Sequence, residues 1–235
     1  MSAEFTNKVV IVTGAGGNVG QAVARRFHAA GASLVLVGRK PDEITALAQE
    51  LSGTALTADV TDPASIDALV CEVEARFGHI DVLAHTVGGY DAGKPVHDSG
   101  LDVWDKMMNL NARSVYVTAG RAARHMVEHQ IAGRIIVILA RAAYKGTARH
   151  AAYTASKAAA QRIVESMAAE LLPHGITVNG IAPSTIDTPP NRASMPNADF
   201  SKWVKPEEIA DAIAYLAAEG SRSISGITLD ISGRS

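Results

Sequence analysis

Val9-Val10-Ile11-Val12-Thr13-Gly14-Ala15-Gly16-Gly17-Asn18-Val19-Gly20 is the stretch that sets the architecture. Four β-branched residues in succession predict a strand buried on both faces, not one alternating between core and water. The glycines predict a tight turn, and an Ala-rich helix should follow to about Ala30. The unit then repeats. Leu34–Val37 precedes a helix from Pro41, Ala55–Ala58 a helix from Pro63 to Phe77, and Asp81–Ala84 a long helix near Leu101–His129. Arg134–Leu139 leads into an Ala-rich helix ending at Leu172. Ile176–Ile181, a long loop, a helix from Pro206 and Ile227–Ile231 complete the chain. Apolar strands separated by helices predict an α/β fold, a doubly wound parallel sheet of Rossmann type with about seven strands and helices on both faces. No repeat, linker or low-complexity tract divides residues 1–235, so one domain is expected.

In such a sheet, ligands bind beyond the carboxyl ends of the strands. Gly14-x-Gly16-x-x-x-Gly20 lies at the first of these ends, one residue longer than the common dinucleotide spacing. There the backbone can approach a pyrophosphate at a helix N-terminus; the plainer reading is a structural glycine turn. Gly38-Arg39-Lys40 closes the second strand, where an acid would hold a ribose 2′-hydroxyl. Arg39 suits a 2′-phosphate instead, or is a solvated turn residue. Asp42 and Glu43, after Pro41, read as helix-start acids.

A third feature is Ala152-Tyr153-Thr154-Ala155-Ser156-Lys157, which opens the helix running to Leu172. Tyr153 and Lys157, four residues apart, share a face, and an ammonium favours the ionised form of a nearby phenol. Facing a cleft, the pair could exchange a proton with a substrate; elsewhere it is a half-buried aromatic beside a solvated charge.

Together, the order of elements, Thr13-Gly14 to Gly20, Asp59-Val60-Thr61-Asp62, Asn111 after Trp104, and Tyr153 to Lys157 resemble the short-chain dehydrogenase/reductase family over nearly the whole chain. The resemblance implies a nicotinamide cofactor held by Gly14, Gly16, Gly17, Asn18, Val19, Gly20, Asp59, Val60, Gly88, Pro183, Ile186 and Thr188, with Arg39 favouring NADP(H). It makes Tyr153 the catalytic acid/base, Lys157 its partner on the nicotinamide ribose, and Asn111 the anchor of a proton-relay water. By the residues alone, Asp59 reads as a turn or cap residue.

Several positions depart from the family pattern. Asn18 replaces a glycine, and its tolerance of left-handed backbone is expected to compensate. His85-Thr86-Val87-Gly88 replaces Asn-Asn-Ala-Gly; His85 reads as a buried imidazole satisfied by backbone, with a catalytic base as the alternative. Ser184 replaces a glycine after Pro183. The catalytic serine's position, thirteen residues before Tyr153, is Ala140. Losing such a donor costs about 3–4 kcal/mol of transition-state stabilisation unless Tyr90, Arg141, Tyr144 or Thr147 supplies another.

A narrower resemblance, to the quinonoid dihydropteridine reductases, rests on Gly88-Gly89-Tyr90-Asp91-Ala92-Gly93, Ala140-Arg141-Ala142-Ala143, and Ile186–Arg192 with Met195–Trp203. It implies Tyr and Lys without the serine and a conjugated imine acceptor. Arg39 departs from it, because that group favours an acid there. Tyr90, Arg141, Tyr144 and Asn191 are the candidate substrate residues, and the loop from Pro183 to Lys205 the candidate lid.

The function expected is oxidoreduction of a small-molecule carbonyl substrate. The alternatives are a quinonoid or imine acceptor, or a cofactor-binding relative without turnover. With 22 Lys and Arg against 24 Asp and Glu, the net charge of −2 offers no footprint for nucleic acid or an anionic membrane. No apolar run reaches membrane-spanning length, and Met1–Lys8 lacks the apolar core of a signal peptide. One cysteine, Cys71, suits a reducing, cytoplasmic setting. No metal is expected. Ala- and Met-rich faces on the Leu101–His129 and Ala151–Leu172 helices suggest a homo-oligomer, a tetramer by the family resemblance.

Overall fold

In the computed structural model, residues 4–234 are described; Met1–Ala3, which enter the leader-peptide reading, lie outside them. Seven strands alternate with eight helices: β1 (Val9–Thr13), α1 (Asn18–Ala29), β2 (Ser33–Gly38), α2 (Pro41–Glu50), β3 (Thr54–Thr57), α3 (Pro63–Phe77) and β4 (Val82–His85). Next come α4 (Leu101–Met107), α5 (Ser114–Glu128), β5 (Arg134–Ile138), α6 (Ala151–Leu171), β6 (Thr177–Pro183), α7 (Pro189–Ser194), α8 (Pro206–Ala217) and β7 (Thr228–Ile231). All pairings are parallel, in the order β3-β2-β1-β4-β5-β6-β7, as the β-branched runs predict.

Side chains alternate across each strand, so the sheet has two cores. Val10, Val12, Leu34, Leu36, Ile136 and Ile138 pack with Val23 and Phe27 of α1 and Ile209, Ile213 and Leu216 of α8. Val9, Ile11, Val35, Val37, Ile135 and Val137 pack with Ile66 and Val73 of α3, Ala119 and Met126 of α5, and Val164 of α6. That is why runs such as Val9–Val12 carry no polar position.

Strand order reverses between β1 and β4. β2 and β3 extend the sheet to one side of β1, and β4 and the later strands to the other. A crevice opens at their carboxyl ends, where Thr86 donates from its hydroxyl (2.7 Å) and its amide (3.3 Å) to the Thr13 carbonyl. Thr13-Gly14 opens one lip; Thr86–Gly88, which meets Lys157 of α6, belongs to the other.

The helix expected over Leu101–His129 runs unbroken as far as Glu128, but it widens to a π-turn at Met108–Arg113. One extra residue per turn rotates α5 relative to α4, and Asn111 lies within this segment. The Pro183–Lys205 segment is not an open loop. Pro189 starts the short α7 with Thr188 as its N-cap, and Ile186 bridges Val204.

Candidate functional site

The turn after β1 is a cradle made of backbone. Gly14 has φ +71°, a left-handed conformation that favours glycine. A Cβ on Gly20 would stand 2.2 Å from the Gly14 carbonyl oxygen, and one on Gly16 would stand 2.9 Å from Glu43 Cβ. Gly17 is the N-cap of α1, and no side chain caps its amides. These glycines and an open helix N-terminus fit a dinucleotide pyrophosphate. Asn18 does not use left-handed backbone: it is the first residue of α1, so the compensation expected of it is not needed.

Arg39 is exposed at the end of β2, near enough to Asp59 for its charge to help lower that carboxyl. The larger causes are hydrogen bonds from Thr61, whose amide (2.8 Å) and hydroxyl (2.7 Å) both donate to Asp59 Oδ1. Asp59 is therefore a turn-former, as its residue type suggests. Asp62 caps α3, and Val60 is buried.

Across the crevice, α6 presents Tyr153 and, one turn on, Lys157. The Lys157 ammonium is buried and donates to the Ile138 carbonyl at 3.1 Å. Burial pulls it down from 10.5 to about 8. Asn111 is almost fully buried; its Oδ1 accepts from the Gly89 amide (2.9 Å) and its Nδ2 donates to Gly89 O and Ser156 Oγ (3.0 Å each). A Cβ on Gly88 would come within 3.0 Å of Lys157 Nζ and 3.2 Å of Asn111 Oδ1. A larger residue there would press on the lysine and asparagine ends and make them give by a few tenths of an ångström.

Tyr153 departs from expectation. Burial, and then the Tyr90 phenol, push it up to about 12, so desolvation outweighs the ammonium one turn away. It holds its proton at neutral pH. Tyr90 stacks edge-on against it, with ring centroids 4.9 Å apart. His150, absent from the sequence-based candidates, completes this group: its Nδ1 lies 2.7 Å from the Ala148 carbonyl, so Nδ1 carries the proton. Nε2 therefore accepts from the Tyr90 hydroxyl at 2.9 Å. The available signal was a histidine less than one turn before Tyr153. A cavity of about 400 Å³ reaches His150 and is lined also by Lys94, Leu101, Trp104, Arg149 and Ala152; neither Tyr90 nor Tyr153 lines it.

Other candidates are committed elsewhere. The Tyr144 hydroxyl donates to Asp230 Oδ1 (2.6 Å), and burial together with that carboxylate pushes it up to about 12. Asn191 Nδ2 donates to the Ile186 carbonyl, Thr188 accepts from the Asn191 amide as N-cap, and Arg192 pairs with Asp187, so the segment after Pro183 is tied to itself. Ser184 donates to the Ser232 carbonyl. Arg141 is exposed beside Ala140, which is buried at the end of β5 with no hydroxyl to offer.

His85 is not a base. Ser114 donates to the Leu110 carbonyl, so its oxygen accepts from His85 Nε2–H (3.3 Å), and Thr13 donates to Nδ1 (3.0 Å). Burial, then the Lys157 charge, lower it to about 3. The ring is satisfied by two hydroxyls, where backbone partners were expected.

Known proteins resemble this chain over nearly its whole length. Residues 14–233 match the family described as Enoyl-(Acyl carrier protein) reductase. An uncharacterized oxidoreductase of Staphylococcus epidermidis is 32% identical over 223 residues, 93% of this chain and 94% of that one. A short-chain type dehydrogenase/reductase from Mycobacterium ulcerans superposes with a TM-score of 0.92 at 26% identity, over 100% of this chain and 90% of that one. A structure described as ribose-5-phosphate isomerase from Brucella melitensis 16M reaches the same TM-score at 28% identity, over 98% of this chain and 93% of that one. The narrower likeness to dihydropteridine reductases is not confirmed by these comparisons.

Proposed function

The chain belongs to the short-chain dehydrogenase/reductase family and is an oxidoreductase, and from that premise we propose that it reduces a small organic carbonyl compound with NADP(H), Tyr153 giving the proton. The observation that carries this reading is the convergence of Lys157 and Asn111 on Gly88, one helical turn from a Tyr153 that keeps its proton at neutral pH. A phenol that keeps its proton can give it to a substrate oxygen as the hydride arrives.

The Gly14–Gly20 turn and the start of α1 would hold the pyrophosphate, Arg39 a 2′-phosphate, Asp59 and Val60 the adenine side, and Lys157, Pro183, Ile186 and Thr188 the nicotinamide side. When bound, that group supplies the hydride. The chain's own work is position and proton supply. Asn111, fixed by Gly89 and Ser156, keeps Lys157 and Tyr153 in register. Tyr90 packs against Tyr153, but its one hydroxyl proton goes to His150, so it could replace the side chain absent at Ala140 only by leaving that partner. The neighbouring cavity, where Leu101 and Trp104 stand beside Lys94 and Arg149, suits an acceptor with an apolar body and a polar end.

Ala140 favours one second reading, a quinonoid or imine acceptor in which no oxyanion develops beside β5. Ala140→Ser separates the two. It should raise NADPH-dependent turnover of a carbonyl compound and leave a quinonoid acceptor unchanged or slower. NADPH should bind more tightly than NADH, and Arg39→Ala should erase the difference; tighter NADH binding by the unaltered chain would refute the cofactor assignment. No oxidation of NADPH with any carbonyl or quinonoid compound would leave a cofactor-binding relative without turnover. No described helix is long and apolar enough to span a membrane, which accords with a cytoplasmic enzyme. Leu101, Trp104 and Tyr116, exposed on α4 and α5, accord with a homotetramer, which light scattering would test.

A further inference from the structure

We propose that Glu74 of α3 with His125 and His129 of α5 binds a divalent transition cation such as Zn²⁺, fastening the two helices at the strands' amino ends, away from Tyr153. Both helices run back from the carboxyl ends of the strands, so their last turns lie near the strands' amino ends. His125 is fourteen residues beyond Asn111, about 20 Å along the helix direction.

Sequence alone raises no such expectation, because Glu74 is about fifty residues from the two histidines. Packing of α3 on α5 brings them together. His125 and His129, one turn apart, stack with ring centroids 4.3 Å apart and planes 27° apart. Glu74 Oε1 lies 3.2 Å from His129 Nε2, and Glu74 Oε2 lies 3.6 Å from His125 Nδ1. One ligand atom from each residue falls within 4.8 Å of the others. Neighbouring ligands of a tetrahedral zinc, bonded at about 2.0–2.1 Å, stand about 3.3 Å apart. The Glu74–His129 pair is already near that separation through Oε1, and the Glu74–His125 pair through the other carboxylate oxygen, Oε2.

The His125 side chain is only 2% exposed, and the nitrogen it turns toward Glu74, Nδ1, stands 3.6 Å from that carboxylate, beyond hydrogen-bond reach, so a cation between the two would find this ligand atom available. Burial, and then the adjacent His129, hold His125 below the usual imidazole value against the opposing pull of Glu74 and Glu128, with His79 adding to the lowering. Two imidazoles and one carboxylate suit Zn²⁺, Ni²⁺ or Cu²⁺ and not Mg²⁺ or Ca²⁺. Glu74 and His129 are partly exposed, which leaves room for a water to complete the coordination.

The test is calorimetric titration of the full, tag-free chain carrying Cys71→Ser, since that exposed thiol on α3 would also take zinc. One equivalent of Zn²⁺ should bind, and Mg²⁺ should not. His129→Ala and Glu74→Gln should each weaken Zn²⁺ by at least about tenfold, while His174→Ala leaves it unchanged. At a hundredfold excess of free Zn²⁺ over its Kd, Tm should rise by roughly 5–10 °C, and this rise should vanish in both variants. Absence of one-equivalent Zn²⁺ binding, or binding undiminished in His129→Ala and Glu74→Gln, overturns the proposal.

Discussion

The two lips of the crevice are built differently. The Gly14–Gly20 lip is backbone: its geometry follows from missing Cβ atoms, and its binding groups are the amides that open α1. The Tyr153 lip is made of side chains from the π-turn and α6 set against the backbone of Gly88, Gly89 and Ile138, and burial shifts them: Lys157 down to about 8, Tyr153 up to about 12. A backbone site is local and indifferent to pH. A side-chain site depends on distant segments and on the charge state of each group.

The contrast fails at its strongest point if the Tyr153 lip does not act through a proton. Tyr153→Phe should lower turnover about 100- to 10,000-fold while NADPH affinity stays within about twofold. Stopped-flow turnover and fluorescence titration measure the two separately, and unchanged turnover removes the mechanism.

On the other lip, the loss should be of binding. Gly20→Ala forces a Cβ to 2.2 Å from the Gly14 carbonyl oxygen, so the turn must shift. Stability should fall by about 1–3 kcal/mol in urea unfolding, with NADPH affinity down at least about tenfold. An affinity equal to that of the unaltered chain would mean that the turn does not form the cradle.

Lys157 sharpens the comparison through pH. Its folded value, about 8, lies below its ordinary 10.5, so between those pH values the unfolded chain binds the extra proton. Stability contributed by this group therefore rises with pH across that window and is flat in Lys157→Met. Turnover should instead fall as pH climbs through about 8 and the ammonium is lost, while NADPH binding through the glycine lip changes less. A flat rate across that value would separate Lys157 from the chemistry. The smallest effect belongs to Gly17→Ala: a Cβ there meets nothing closer than 3.4 Å, and the extended backbone suits any residue. A loss within about 1 kcal/mol is expected, and a larger one would show that open space at Gly17 matters.

The glycine lip was almost wholly legible from the chain, because its constraints act between neighbours: Val9–Val12, the glycines and the helix after them lie within about twenty residues. The alternation of apolar runs likewise determined a parallel sheet covered on both faces, since each strand must bury two rows of side chains. Tyr153, Lys157 and Asn111 could be named from spacing and resemblance, but not their electrostatics. Desolvation depends on everything packed around a group, and it reversed the expected direction for Tyr153. Tertiary structure alone decided that Tyr144 and Asn191 spend their donors on Asp230 and Ile186, that His85 is satisfied by Thr13 and Ser114, and that His150 holds Tyr90. It also brought Glu74 to the histidines of α5. Such partners are far apart in the chain, and their meeting depends on helix packing and strand order, which a local pattern does not encode.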